Sequence, residues 1–201
     1  MRGNELHSSP RCYSSTAAGL TDTDGIKTVE QAPIALTTYS GAQLNGAVQV
    51  AGFEFPRYPS VTTTANAATY NTTDPIVVTG TRSGIVCTVD LLPLADGGGE
   101  TIVGTAPLET VTSITVPAQL QAAGGLAFGV SGLGPFARVL GGAIVGNQPY
   151  RRAKAGSAGT LVLGFDDGTT DTTTCIAGAV EDVLFTSIGA TSTATPITVY
   201  V

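Results

Sequence analysis

The sequence predicts an all-β protein, with an antiparallel sandwich or barrel-like body, an extended N-terminal arm and one short helix. Three observations lead to this prediction. Short runs of residues that favour strands recur along the chain, and several alternate between apolar and polar side chains. Gly, Pro, Asn and Asp separate the runs, and these residues favour turns. Strands of this length and spacing are typical of a sandwich or a barrel.

The predicted strands lie between residue 34 and the last residue. Alternation is clearest in 85–91 and 111–116, where apolar and polar side chains take opposite faces. Turn-forming residues stand between strands at 74–75, 96–99, 147–149 and 166–168. The predicted strands are 34–39, 47–55, 76–81, 84–92, 110–116, 136–145, 160–165, 183–188 and 197–201.

One segment predicts a helix, at 117–123. Pro117 stands at its start, and Gly124 and Gly125 follow its end. Proline suits the first helical position and glycine suits the position past the last one. The helix would be short, with about two turns.

The chain divides into an arm and a body. Residues 1–25 are polar, rich in Ser and Thr and without periodicity, so they predict an extended arm that becomes ordered on a neighbour. Residues 26–201 form the β-rich body. Gly, Pro and Ala accumulate near 104–109 and 146–158, so the body is either one sandwich or two modules that divide at one of these places.

Composition excludes several classes of function. Charged residues make up 12% of the 201 residues and the net charge is −6, which argues against a nucleic-acid binder. No stretch approaches the roughly 20 apolar residues of a membrane helix, and the N-terminus shows no secretion signal. We therefore expect neither nucleic acid nor membrane as a partner, and synthesis in a cytoplasm. A weakly charged surface can pack against another protein because few ions need desolvation.

The side chains that carry chemistry are sparse and poorly placed. The single His, His7, lies in the predicted arm, so a Ser or Cys nucleophile would have no positioned base, and we expect no enzyme. Cys12, Cys87 and Cys175 are too far apart for a zinc site, and Cys87 fits a small buried hydrophobe.

Two further motifs contain residue types that bind cofactors or metal ions in proteins. Residues 132–137 match G-x-G-x-x-G/A, but Gly141 and Gly142 would interrupt the required helix and no acid follows at the ribose position. Asp166, Asp167 and Asp171 offer Ca²⁺ ligands or, more simply, a β-turn between strands. The sequence therefore predicts no cofactor and no metal.

Aromatic and Arg side chains indicate where a partner protein could bind. In the cluster 53–59, alternation places Phe53 and Phe55 on one face, which favours the core, and leaves Arg57 and Tyr58 for an interface. Further aromatic and Arg side chains lie in the predicted arm and in the chain between Glu109 and Asp166. The candidate partner-binding residues are therefore Arg2, Arg11, Tyr13, Arg57, Tyr58, Arg138, Arg151 and Arg152.

A basic stretch lies between Glu109 and Asp166, where no acidic residue occurs. It contains Arg138, Arg151, Arg152 and Lys154. These side chains either form a basic patch for an acidic partner or pair with acids folded in from elsewhere. The candidate acids are Asp166, Asp167, Glu181 and Asp182.

The polar arm, the Thr-, Gly- and Ala-rich β-body and the low charge resemble bacteriophage virion proteins, above all head decoration (cement) proteins. Segments 153–162 and 188–195 resemble that class in composition. The resemblance implies a β-rich, often trimeric knob that binds the major capsid protein on the outer surface of the shell. Its arm would lie across neighbouring shell subunits and stabilise the capsid.

Two other functions remain open at this point. One is a fibre or tail-associated module that binds host glycans through exposed aromatic side chains, with Ca²⁺ on the 166–171 loop. The other is a tail-tube-like subunit that assembles into rings.

Overall fold

The computed structural model describes residues 12–14, 21–44, 56–64, 70–93, 99–132, 134, 136–140, 143–189, 191–194 and 197–200. The predicted all-β class is confirmed, because antiparallel sheets pack against each other and the regular structure of these residues is almost entirely strand. A 3₁₀ turn covers Gly41–Gln43. The strands are β1 Cys12–Ser14, β2 Thr21–Gln31, β3 Thr37–Ser40, β4 Tyr58–Thr63, β5 Ile76–Arg82, β6 Ile85–Leu91, β7 Thr101–Val103, β8 Thr110–Val116, β9 Gly125–Ser131, β10 Phe136–Leu140, β11 Ala143–Gln148, β12 Arg152–Ala155, β13 Gly159–Gly164, β14 Thr170–Cys175, β15 Val180–Glu181, β16 Ser187–Ile188 and β17 Ile197–Tyr200.

Two four-stranded sheets enclose the first hydrophobic cluster. Their strand orders are β2-β9-β4-β7 and β3-β8-β5-β6. Buried side chains from both sheets meet in this cluster, which extends from Ile26 to Val130 along the chain. Tyr39 and Phe128 join the two layers, with ring centroids 6.5 Å apart. This packing of two antiparallel sheets through their apolar faces is that of a β-sandwich.

A second hydrophobic cluster extends from Tyr150 to Val199. It is enclosed by the sheets β1-β17-β12-β15 and β14-β13-β16, and the rings of Tyr150 and Phe185 stack in it with centroids 5.1 Å apart. β10 and β11, which lie between the two clusters in the sequence, form a hairpin. The second cluster begins inside the expected dividing region 146–158, and the division into two modules stays a prediction.

Gly134 connects the two clusters through hydrogen bonds on both sides of its backbone. Its N–H donates to the Pro56 carbonyl at 2.7 Å, and its carbonyl accepts the Tyr150 hydroxyl at 2.8 Å. An added Cβ here would meet the Pro107 ring, so only glycine fits this close approach.

The helix predicted at 117–123 is wrong, because the segment is irregular and forms its hydrogen bonds with other parts of the chain. The Gln119 N–H donates to the Pro33 carbonyl at 2.8 Å, and the Ala118 carbonyl accepts from the Asn71 side chain. The Ala122 carbonyl accepts from the Gln31 side chain. A helix this short has few internal hydrogen bonds, so these tertiary ones replace them.

Other boundaries also differ from the predictions. The strand expected at 136–145 is the β10–β11 hairpin, and within 183–188 only β16 and an isolated bridge from Phe185 to Tyr150 are extended. The strand expected at 47–55, with Phe53 and Phe55, lies outside the described residues.

The described part of the predicted arm lies in sheets of the body. Residues 21–25 belong to β2, where Thr21 pairs with Ser131 of β9, so the arm does not extend to residue 25 as expected. Residues 12–14 form β1, which pairs with β17 at the edge of its sheet. β17 has β12 as a partner on its other side.

Candidate interaction surfaces

The reactive side chains of the described residues do not form a metal site. No group of three or more His, Cys, Asp or Glu able to hold a metal ion occurs in the part of the chain that the structure describes. Cys87, packed against the first cluster, and Cys175, buried in the second, are free thiols. Burial raises the pKa of both thiols, which disfavours the nucleophilic thiolate.

The 166–168 segment is a tight turn between β13 and β14. The Gly168 N–H donates to the Phe165 carbonyl at 3.1 Å, and Gly168 has a φ of +82°, which favours glycine. The Asp167 carboxylate accepts hydrogen bonds from the hydroxyl and the N–H of Thr169, and these bonds lower its pKa. The β-turn interpretation therefore accounts for these residues.

The glycine motif at 132–137 leads into a strand. Residues 136–140 are β10 and pair with β11, so no helix follows the glycines to offer its N-terminus to a phosphate.

Arg57 and Tyr58 are not the exposed anchors that the sequence suggested. Arg57 is buried, and its backbone exchanges two hydrogen bonds of 2.8 Å with Leu108. Tyr58, which begins β4, is partly buried. Burial raises the pKa of Tyr58, while the positive charge of Arg82 lowers it. Arg82 is also buried and was not singled out by the sequence analysis.

The basic stretch forms an ion pair within the chain. Arg152 Nη2 lies 2.8 Å from Asp182 Oδ2, and the hydrogen bond to this carboxylate raises the pKa of the guanidinium. The guanidinium carbon also lies 6.0 Å from the centre of the Tyr200 ring. This pair favours the second interpretation of the stretch, in which its cations pair with acids from elsewhere.

The other candidate residues lie apart from this pair or outside the description. Arg151 is exposed, and its backbone N–H donates to the Tyr200 carbonyl. Tyr13 lies in β1 opposite Val199, and Arg138 lies in β10. Arg2 and Arg11 fall outside the described residues.

The outer side of the β3-β8-β5-β6 sheet, which we call the hydroxyl face, is a further candidate surface. Cross-strand pairs of threonine hydroxyls occur on it, 3.1 Å apart for Thr38–Thr115 and 2.6 Å apart for Thr81–Thr110. Asp90 is its only charged residue. The face consists of Thr38, Ser40, Val77, Thr79, Thr81, Val86, Thr88, Asp90, Thr110, Thr112, Ser113 and Thr115.

Residues 32–36 and 117–124 form a first apolar surface. The hydrogen bond from Gln119 to Pro33 holds the two segments side by side. Ile34, Leu36 and Leu120 are 67%, 72% and 66% exposed, and neither segment contains a charged residue. Exposed apolar groups on adjacent segments make this surface a candidate interaction site.

Residues 176–184 expose several aliphatic side chains beside the second cluster and are called the second apolar surface, although Glu181 and Asp182 lie among them. Ile176, Val180, Val183 and Leu184 are 75%, 48%, 38% and 61% exposed. The surface includes β15, an edge strand of its sheet. Neither apolar surface was predicted from the sequence. The available signal was the large aliphatic residues in 117–124 and 176–184, which do not follow strand alternation.

The structure and the comparisons with known proteins add two findings. No helix among the described residues is long and apolar enough to span a membrane. Comparisons with protein-family models, with curated proteins and with solved structures found no match.

Proposed function

We propose that this chain is a structural protein of a bacteriophage virion, which decorates and stabilises the capsid by binding the outer surface of the shell. The major capsid protein is the proposed partner. The observation that carries the proposal is the hydroxyl face, a sheet surface of threonine and serine with two valines, Val77 and Val86, and one charged side chain, Asp90. Its position over a closed sandwich core makes it a rigid platform.

The hydroxyl face suits contact with a protein because removing water from it costs little free energy. A buried charge without a partner is costly, whereas a hydroxyl can exchange a water hydrogen bond for one to the partner. β-Branched threonine also has few rotamers to lose on contact. Each contact is individually weak, so attachment is strong only when several copies that are joined to one another bind the repeated shell surface together.

The test places a charge on the hydroxyl face without disturbing the fold. Thr88 is exposed on β6, an edge strand, so its replacement leaves the core intact. We expect Thr88→Lys and Thr88→Asp each to weaken binding to purified empty shells by about tenfold or more, because either charge is desolvated on contact. Because the two variants carry opposite charges, a loss of binding in both cannot be explained by electrostatic attraction or repulsion between the new charge and the shell. Co-sedimentation with the shells measures the bound fraction.

Matched control variants come from β14, in a sheet that encloses the second cluster. Thr172 is an exposed threonine in the middle of β14, and Thr172→Lys and Thr172→Asp are expected to bind shells as the wild type does. Equal binding by the Thr88 and Thr172 variants would show that the hydroxyl face does not contact the shell. Failure of the wild type to bind shells would refute the decoration proposal itself.

A further inference from the structure

The exposed cations in the described part of the chain are gathered at one strand, β12. Arg151, Arg152 and Lys154 are all exposed and lie within four consecutive residues. The other cations whose burial the structure describes are buried, and they are Lys27, Arg57 and Arg82. In this chain of net charge −6, positive side chains of the described part therefore reach solvent at a single place.

The pleat of β12 places two of these cations on the outer side of the β1-β17-β12-β15 sheet. Arg152 and Lys154 are exposed, whereas Ala153 between them is fully buried in the second cluster. Alternate side chains of a strand lie about 7 Å apart on one face. On the neighbouring strand β17, Tyr200 lies opposite Arg152. Thr198 lies opposite Lys154.

One carboxylate of the chain already lies on this surface, which we call the β12 patch and define as these four exposed or half-buried residues, Arg152, Lys154, Thr198 and Tyr200, with Arg151. Asp182 Oδ2 accepts a hydrogen bond of 2.8 Å from Arg152 Nη2, and the two side chains are 68% and 47% exposed. Water therefore reaches this ion pair, and a second carboxylate can compete for the guanidinium.

The ion pair accounts for Arg152 alone. Arg151 and Lys154 take part in neither of the two ion pairs within the described residues. The other carboxylate near β12, that of Glu181, lies on the inner side of the sheet, where its Oε1 is 3.8 Å from Sγ of the buried Cys175. The β12 patch thus offers two cations, and a third in competition with Asp182, to a negatively charged partner.

A short acidic peptide segment fits the β12 patch better than a large polyanion does. Nucleic acid or an anionic bilayer would extend over a broad area of a molecule with a net charge of −6, and the repulsion would oppose binding. A short segment contacts the patch alone. When such a segment is extended, its alternate side chains repeat at about 7 Å, which matches the spacing of Arg152 and Lys154 along β12.

We propose that the β12 patch binds an extended acidic segment of a partner protein, with carboxylates at alternate residues. One carboxylate contacts Lys154, and the next contacts Arg152, where it competes with Asp182. Arg151 adds positive charge at the start of the strand. Exposed ion pairs contribute little individually, so the affinity is modest and falls as the salt concentration rises.

This inference goes beyond shell binding and is tested without shells, so failure of either proposal is seen separately. The probe is a synthetic peptide in which Glu alternates with Thr, and a peptide with Gln in place of every Glu is its control. An NMR titration of the isotope-labelled full chain at low ionic strength measures the dissociation constant and locates the contact. We expect the acidic peptide to shift signals of β12, β15 and β17, and the Gln peptide to shift none.

Three variants test the residues of the contact. Lys154→Gln should weaken binding about two- to fivefold, because it removes one exposed ion pair. Thr172→Asp, at an exposed position of β14, is the matched control, since it makes the same change in net charge away from the β12 patch and should bind as the wild type does. Asp182→Asn should strengthen binding about two- to fivefold, because it removes the competitor for Arg152.

Four results would overturn the proposal. A wild type that does not bind the acidic peptide would show that the patch has no such partner. Equal weakening by Lys154→Gln and Thr172→Asp would show that only the total charge matters. Unchanged or weaker binding by Asp182→Asn would show that the peptide does not compete for Arg152. Binding to phosphatidylserine vesicles that is tighter than binding to the peptide would assign the patch to a lipid surface.

Discussion

The two hydrophobic clusters predict two units that unfold separately, and matched isoleucines allow a direct test. Ile114 of β8 is fully buried in the first cluster, and Ile197 of β17 is fully buried in the second. Ile114→Val and Ile197→Val each remove one methylene from a closely packed site. Such a change lowers the free energy of unfolding by about 0.5–1.5 kcal/mol.

Differential scanning calorimetry measures the outcome. A loss of 1 kcal/mol lowers the melting temperature of a domain of 60–100 residues by roughly 4–8 °C. We expect two transitions in the wild type, with Ile114→Val lowering one of them and Ile197→Val lowering the other. The shift from Ile197→Val should be the larger, because the second cluster is built from a shorter stretch of chain and has a smaller unfolding entropy.

The two variants serve as controls for each other, since the same chemical change is made at equal burial. A single transition that both variants lower by the same amount would refute the reasoning. It would mean that the contacts between the clusters, including the one through Gly134, make the chain one cooperative unit.

Two further predictions concern single hydroxyl groups. Tyr150→Phe removes the buried hydrogen bond to the Gly134 carbonyl and should lower the free energy of unfolding by about 1–3 kcal/mol. Urea denaturation measures this as a lower midpoint at constant slope, and an unchanged midpoint would contradict it. Tyr39→Phe tests how the free energy of unfolding depends on pH. Burial raises the pKa of Tyr39 above 10.0, and the negative charge of Glu30 raises it further. Folding therefore favours the protonated Tyr39 hydroxyl. The free energy of unfolding that this shift contributes is fully present below about pH 10, the pKa of tyrosine in the unfolded chain, and is lost as the pH rises through the pKa of Tyr39 in the folded protein. Urea denaturation between about pH 9 and pH 11 should show a smaller alkaline loss in Tyr39→Phe, and an equal loss would contradict the assignment.

Strands with regular alternation could be predicted from the sequence. The boundaries of β8 agree with the prediction at both ends, and those of β5 and β6 agree to within one residue. Each of them has an apolar face toward the first cluster and a polar face outside, so the pattern within the strand is sufficient.

Strands that depend on a partner could not be predicted in this way. β2 and β14 are rich in Thr and Asp and show little alternation. β2 is extended because it pairs with β9, and β14 because it pairs with β13. The β2–β9 hydrogen bonds join residues that are distant in the sequence, and those of β14 depend on the neighbouring strand β13. The pattern within β2 or β14 contains no record of either partner.

The same limit applies to the candidate surfaces. Arg57 was expected at an interface because of its residue type, but its backbone pairs with Leu108 and its side chain is buried. Leu120 was assigned to a helix, whereas the bond from Gln119 to Pro33 places it on an exposed surface. Exposure depends on which distant segment lies beside a residue, and residue type does not determine it.

The sequence by itself determined an all-β chain with low charge and turns at defined places, because strand alternation and turn chemistry act over a few neighbouring residues. Only the tertiary structure decided that the core is divided into two clusters, that the 117–123 segment is irregular, and that the hydroxyl face and two apolar surfaces are exposed. The reason is physical. A β-fold is held together by hydrogen bonds and apolar contacts between separate segments, and these form only when the segments around one core pack together.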